Sequence, residues 1–326
     1  MSTESQLAPR LSRFWQVSRP LALTVLGTTV LLLFFTVGIF LDERVITGAP
    51  AWVKPAKFAI SVTVYSATML WLLSLVDTGK RWRKRLVTCL GWVLAGTLFL
   101  EWVGIITQAV RSTTSHFNMS TPFDAAIWAM MGVAIMVLYV ANFVTAWLLL
   151  TQRFDSPVFA LALRLGMIIT LIGLGEGYLM TSPTAQQLAG LQAGEPLTII
   201  GAHSVGVEDG GVGLPFLNWS TEGGDLRIGH FVGMHALQII PLLGLLIRRH
   251  RRLGVKRQLG LVWVGALTYL GLTLLVTWQA LRAQPITQPD ALTVGVFVGI
   301  VGAALLAAGV MFAGGQARAS LNAEHV

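Results

Sequence analysis

Charge is scarce in this sequence of 326 residues. Asp, Glu, Lys and Arg together make up 12%, where a soluble domain carries about 25%. Cysteine is nearly missing: Cys89 stands alone, inside an apolar run. One thiol can close neither an internal disulfide nor a cysteine-based metal cage, and core filling is its expected role. These shortages exclude a soluble enzyme, a disordered chain and a disulfide scaffold. What is present is apolar: 54% of the residues are hydrophobic. The sequence predicts an all-α, polytopic membrane helix bundle with the lipid bilayer as its first partner.

A helix crossing the hydrocarbon core needs about 20 apolar residues. Eight segments qualify: 21–41, 54–76, 87–109, 124–150, 159–180, 228–247, 259–281 and 291–313. The plan is therefore a segment 1–20, a transmembrane domain 21–313 of eight spans, and a tail 314–326. Residues 1–20 are polar and the first apolar run is full length, so that span is expected to be a signal anchor rather than a cleaved leader. The net charge of +8 is a topology signal before it is a sign of nucleic-acid binding, which is not expected. If the N-terminus is cytoplasmic, seventeen basic residues fall inside, among them Lys80, Arg81, Arg83, Lys84, Arg85 and Arg248 to Arg257. Six fall outside: Arg44, Lys54, Lys57, Arg111, Arg227 and Arg282. The positive-inside rule then predicts both termini in the cytoplasm of a cell inner-membrane protein. One connection is long. Residues 181–226 lie on the expected exoplasmic (periplasmic) side, open with a short helix at Ala185 to Gly194, turn glycine-rich, and suit a lid over a site between helices.

Ionisable residues inside spans are costly and mark functional sites. Glu101 and Gln108, seven apart on the third span, share a face, which Ser112 and Ser115 extend towards Arg111 and His116. Lys54 and Lys57 open the second span and can turn inward towards Glu101 or an anionic ligand. The densest polar run opens the sixth span: Asp225 as N-cap, then Arg227, His230, Met234, His235 and Gln238. His230, Met234 and Gln238 would share a face, with His235 turned about 140° away. Four histidines, His116, His203, His230 and His235, fall on the outer side together with Glu101, Asp124, Glu176, Glu208 and Asp209. Two Asn-x-Ser sequons, at Asn118 and Asn218, fall there too.

Three functions follow as expectations. The first is a membrane oxidoreductase holding haem b or a transition metal and acting on a lipophilic or quinone-like partner. There His230, His235 and His116 are the cofactor ligands, and Glu101, Gln108, Arg111, Lys57, Asp225 and Arg227 handle protons and substrate. The second is a zinc-dependent hydrolase or lipid-modifying enzyme with His203, Asp209, His230 and His235 on the metal. The third is a proton-coupled anion transporter. The cytoplasmic halves of the spans are almost purely apolar, which favours a one-sided site over a conduit. The similar starts Lys54-Pro-Ala-Lys57-Phe58 and Arg227-Ile-Gly-His230-Phe231 hint at a four-plus-four pseudo-repeat. The Gly295/Gly299 face of the last span suits a close helix contact, including one between copies.

Overall fold

The computed structural model describes residues 14–250 and 253–323, with the backbone alone at 313–323. Arg10, Arg13, Arg251, Arg252 and His325 lie outside the described residues. The long elements are α1 (Arg19–Leu41), α2 (Val53–Leu75), α3 (Arg81–Val110), α4 (Pro122–Leu150), α5 (Pro157–Glu176), α7 (Leu226–Met234), α8 (Ala236–Arg249), α9 (Val255–Leu281) and α10 (Ala291–Ala323). Short α6 (Ala185–Gln192) lies in the long connection, with antiparallel pairs β1 (Val45–Ile46)–β2 (Ala49–Pro50) and β3 (Ser204–Val205)–β4 (Gly224–Asp225). Seven of these helices are long and apolar enough to cross a membrane, and the bent pair α7–α8 makes an eighth. The protein is an all-α polytopic bundle.

Helix starts follow local chemistry. Ser18, Thr121 and Ser156 each accept an amide of the first turn with Pro at the next position or two, so an orphan N–H is satisfied and φ is preset. Thr184 and Gln187 close a reciprocal capping box on α6. The sixth span is not one straight helix. It bends by 41° at His235, where the Gln238 amide turns back to the carbonyl of His235 and leaves that of Met234 without its helical partner. The bend frees backbone carbonyls, which side chains take up: the Tyr269 hydroxyl donates to Val232 O at 2.6 Å and Thr170 to Met234 O at 3.3 Å. The shared face expected for His230, Met234 and Gln238 is therefore broken.

The chain divides into two units. Unit 1 is residues 1–152, 181–202 and 208–218; unit 2 is 153–180, 203–207 and 219–326. Each holds four spans, α1–α4 in the first and α5, α7/α8, α9 and α10 in the second. In unit 1 the Arg44 guanidinium donates to Val110 O at 2.9 Å, fixing the end of α1 beside that of α3. At the opposite end Gln152 donates to Leu75 O at 2.7 Å, among the basic residues that open α3. In unit 2 the core is formed by Val158, Ala162 and Ile169 of α5, Ala236, Ile240 and Ile247 of α8, and Leu261, Val262 and Ala266 of α9. Small residues set the approach: a Cβ on Gly244 would stand 2.3 Å from that of Ala162. Cys89 is a correction, since it is exposed on α3 and fills no core.

The two units end their third helices alike. Gln108-Ala-Val-Arg111 and Gln279-Ala-Leu-Arg282 close α3 and α9. Ser112 (φ 59°) and Ala283 (φ 58°) follow in the left-handed region. The amides of Thr113 and Gln284 reach back five residues, to Gln108 O at 3.0 Å and Gln279 O at 3.2 Å. The next helix answers with a carboxylate each time, Asp124 for Arg111 and Asp290 for Arg282.

Candidate functional site

At the non-basic end of unit 1, the first turn of α2 meets the end of α3 and the connection 111–121. Glu101 is buried at 4% exposure, and its Oε1 finds no hydrogen-bond partner among the described residues. Its electrostatic partner is Lys54. Lys54 Nζ in turn lies 3.2 Å from Nδ1 of His116, and Ser115 Oγ lies 3.0 Å from the same nitrogen. An ammonium can only donate, so Nδ1 accepts and the imidazole proton sits on Nε2. The His116 ring is walled by Phe58 and Trp128, with centroids at 5.9 and 5.4 Å. Lys54 thus links a bare interior carboxyl to an imidazole at the end of the bundle.

Beside this series lies a saturated clamp. Asp124 accepts from Arg111 at 2.5 Å, Gln108 at 2.7 Å and Thr121 at 2.6 Å, and Arg111 also donates to Gln108 at 2.8 Å. Gln108 is fully buried. The clamp holds both ends of the connection that carries His116. Gln108 and Arg111 therefore position the site, with Asp124 as their anchor. Because α3 ends at Val110 and the chain turns at Ser112, the expected continuation of the Glu101 face through Ser112 and Ser115 does not form.

The long connection is folded over this end. Met119 N donates to Thr198 O at 2.8 Å and Ile200 N to Phe117 O at 2.9 Å, a bridge next to His116. Gly210 (φ 100°) packs on the β1–β2 turn, where its carbonyl would stand 2.2 Å from a Cβ on Gly48. Lys57 Nζ donates to Leu217 O at 2.8 Å, which places Lys57 on the connection. Of the sequons, Asn118 is buried and bonded to Thr113 and Thr114, which leaves no room for a glycan, while half-exposed Asn218 donates to Thr47 O at 3.4 Å.

The remaining candidates lie in unit 2, apart from Glu208 and Asp209, which fall in unit 1. Asp225 caps α7 as expected, and its carboxylate receives the Arg227 amide and guanidinium and the Ser220 amide at 2.5 to 3.0 Å. That ties Asp225 and Arg227 into the turn. His230 Nδ1 lies 2.7 Å from Gly173 O; a carbonyl only accepts, so Nδ1 carries the proton and Nε2 the lone pair. His203 and His235 interact with it electrostatically. His203 also holds the start of α7, its carbonyl accepting from Leu226 N at 2.9 Å. His235 sits at the bend, 3.4 Å from the Gln238 amide oxygen. Among the described residues no group of three or more His, Cys, Asp or Glu is placed to hold one metal ion. The His203/Asp209/His230/His235 metal set expected from the sequence is thus not assembled, and His116 and His230 belong to different units. Glu176, overlooked as a site residue from sequence, is buried at 8% exposure, with one carboxyl oxygen lacking a partner among the described residues.

The chain matches no family model, no curated protein and no solved structure.

Proposed function

We propose that the non-basic end of unit 1 binds a lipophilic, acceptor-bearing ligand of quinone type and exchanges a proton with it. One observation carries this reading: Glu101 is buried with a bare oxygen, and its charge partner Lys54 reaches His116 at the end of the helices. A carboxyl in that position is costly unless it trades a proton with a neighbour, which is what a proton-handling group does. Donor-only Lys54 and the Nε2–H of His116 match the carbonyl oxygens of such a ligand, and Phe58 and Trp128 offer its ring apolar walls. Quinones take up protons on reduction and release them on oxidation, so the site suits a membrane oxidoreductase. The stretches 198–202 and 208–218 of the connection serve as its cover.

The test uses the full chain in vesicles loaded with a pH-sensitive dye, with a short-chain quinol as probe and added ferricyanide as the oxidant that takes its two electrons, and the quinone with added dithionite for the reverse direction. Wild type should change the rate of proton release and uptake, and Glu101→Gln should lower that effect by about 10²-fold or more. Equal rates in wild type and Glu101→Gln would overturn the reading. Proton flux driven by an inorganic anion, with none driven by the quinol, would move the function to anion transport.

A further inference from the structure

A groove of about 680 Å³ runs along unit 1 where α3 and α4 meet, lined from Trp92 to Leu100 on the first helix and from Met130 to Val137 on the second. Trp92, Val133 and Val137 are exposed, so the groove opens on the outside of the bundle, where lipid lies. Its eight-residue run on α3 makes it about 12 Å long. Leu100 stands ten residues, about 15 Å, from the end of α3 at Val110. The whole groove therefore falls within the depth of the hydrocarbon, about 30 Å.

The lining offers hydrocarbon and little else. Apart from the indole of Trp92 at the far end, its one polar side chain is Thr97, whose hydroxyl is spent on Leu94 O at 3.0 Å. The recess exists because the residues beneath it are small. Thr97 and Ala134 are buried at the seam, and a Cβ on Gly96 would meet nothing within 4 Å. Elsewhere the same two helices present large side chains to lipid, such as Phe99 and Phe143. Nearer the end of α3 the seam shuts, since a Cβ on Gly104 would stand 2.4 Å from Met131 Sδ.

Position ties the groove to the site of unit 1. Thr97 and Glu101 are four residues apart on α3, which is about 6 Å along the helix and about 40° around it. On α4, Trp128 walls His116 and Met130 lines the groove two residues later. A ring bound at the end of the helices sends any tail inward through the hydrocarbon, and this recess lies on that path.

We propose that the groove holds the isoprenoid tail of a membrane quinone whose ring occupies the site of Glu101, Lys54 and His116. The proposal rests on the reading of that site given above and names its substrate class: a long-tailed quinone. Lipid is as apolar as the groove, so the tail gains packing and orientation rather than escape from water, and the effect on affinity is modest.

Photolabelling tests this. The full-length protein in phospholipid vesicles is irradiated with an isoprenoid quinone that carries a diazirine on its tail, and labelled peptides are read by mass spectrometry. Label should fall on 92–100 and 130–137. Unlabelled tailed quinone should displace it, and an isoprenoid hydrocarbon without the quinone ring should not. Gly96→Phe, whose ring enters the groove from open space, should lower the label severalfold. Gly132→Phe also points into open space on α4 but outside the groove, and should label as wild type does. With the quinol assay, the ratio of KM for tailed over tail-less quinol should rise about 3- to 10-fold in Gly96→Phe. Label that is absent, spread evenly over α1–α4, undiminished in Gly96→Phe or displaced by the ringless hydrocarbon overturns the proposal and leaves the groove to bulk lipid. Label in the groove together with wild-type proton rates in Glu101→Gln would keep the tail site and remove the proton-exchanging role of Glu101.

Discussion

At the scale of the residue, position decides which of two similar side chains matters. Lys54 and Lys57 share the first turn of α2, yet Lys54 reaches His116 and acts electrostatically on Glu101 while Lys57 is bound to Leu217 O. Lys54→Ala should therefore depress quinol-linked proton exchange to nearly the level of Glu101→Gln, whereas Lys57→Ala should leave it close to wild type. Rates in the dye-loaded vesicles check both, and equal losses would mean the connection, not Lys54, sets the site. Gly229 is a second case. Its missing Cβ is the room in which Glu176 and Thr277 meet. Gly229→Ala should cost about 1–3 kcal/mol through forced displacement of a packed helix. The midpoint of unfolding in detergent would record it, and an unchanged midpoint would show that the crossing is looser than the distances imply.

At the scale of the element, the helix ends are where polar chemistry was legible and where it was hidden. The Asp225 cap, the Ala185 helix and most span limits follow from neighbours in sequence, and the structure places them within a few residues of expectation, although α3 starts earlier than expected, at Arg81, and α10 runs on past 313 to Ala323. The bend at His235 was hidden because no glycine or proline at that position marks a break, Pro241 lying six residues on. The matching Gln-Ala-Val-Arg and Gln-Ala-Leu-Arg ends were present in the sequence and are the stronger sign of internal resemblance between the units. The second of them yields an acid prediction. The Arg282 guanidinium holds the Asp290 carboxyl well below the usual carboxylate range. The folded value lies below the unfolded one, near 4, so the contribution is present above about pH 4 and lost as pH falls through the folded value. This exposed pair adds little, but acid should unfold wild type at higher pH than it unfolds a variant whose helix start needs no ionised cap. Asp290→Asn retains an N-cap acceptor, so its unfolding midpoint should depend less on pH over that range. Identical pH profiles would show the pair to be idle.

At the scale of the whole molecule, each unit carries most of its basic residues at one end and its buried acids nearer the other. Glu101 with Lys54 and His116 stands in unit 1, and Glu176 with Thr277 in unit 2. Facing the basic ends to the cytoplasm gives N-in, C-in topology by the positive-inside rule. Reporters active only in the cytoplasm, fused after Gly79 or Gly254, should be active, and one fused at Gly210 should be silent. The reverse pattern would invert the membrane but leave the site of unit 1 intact.

What the sequence determined on its own is the number and limits of the spans. Hydropathy acts on each stretch of about 20 residues independently, whatever its neighbours are. It also placed Glu101, Lys54 and His230 among the costly polar groups, because the expense of such a group in hydrocarbon is likewise local. Which of them meet was settled only by tertiary packing. Lys54 and His116 are 62 residues apart, and Glu176 and Thr277 are 101 apart. Helical periodicity orders side chains on one helix but carries no rule for the rotation of one helix against another. That rotation depends on close contacts such as Gly173 on Gly233 and Gly229 on Thr277, where small residues let backbones approach and fix which faces look inward.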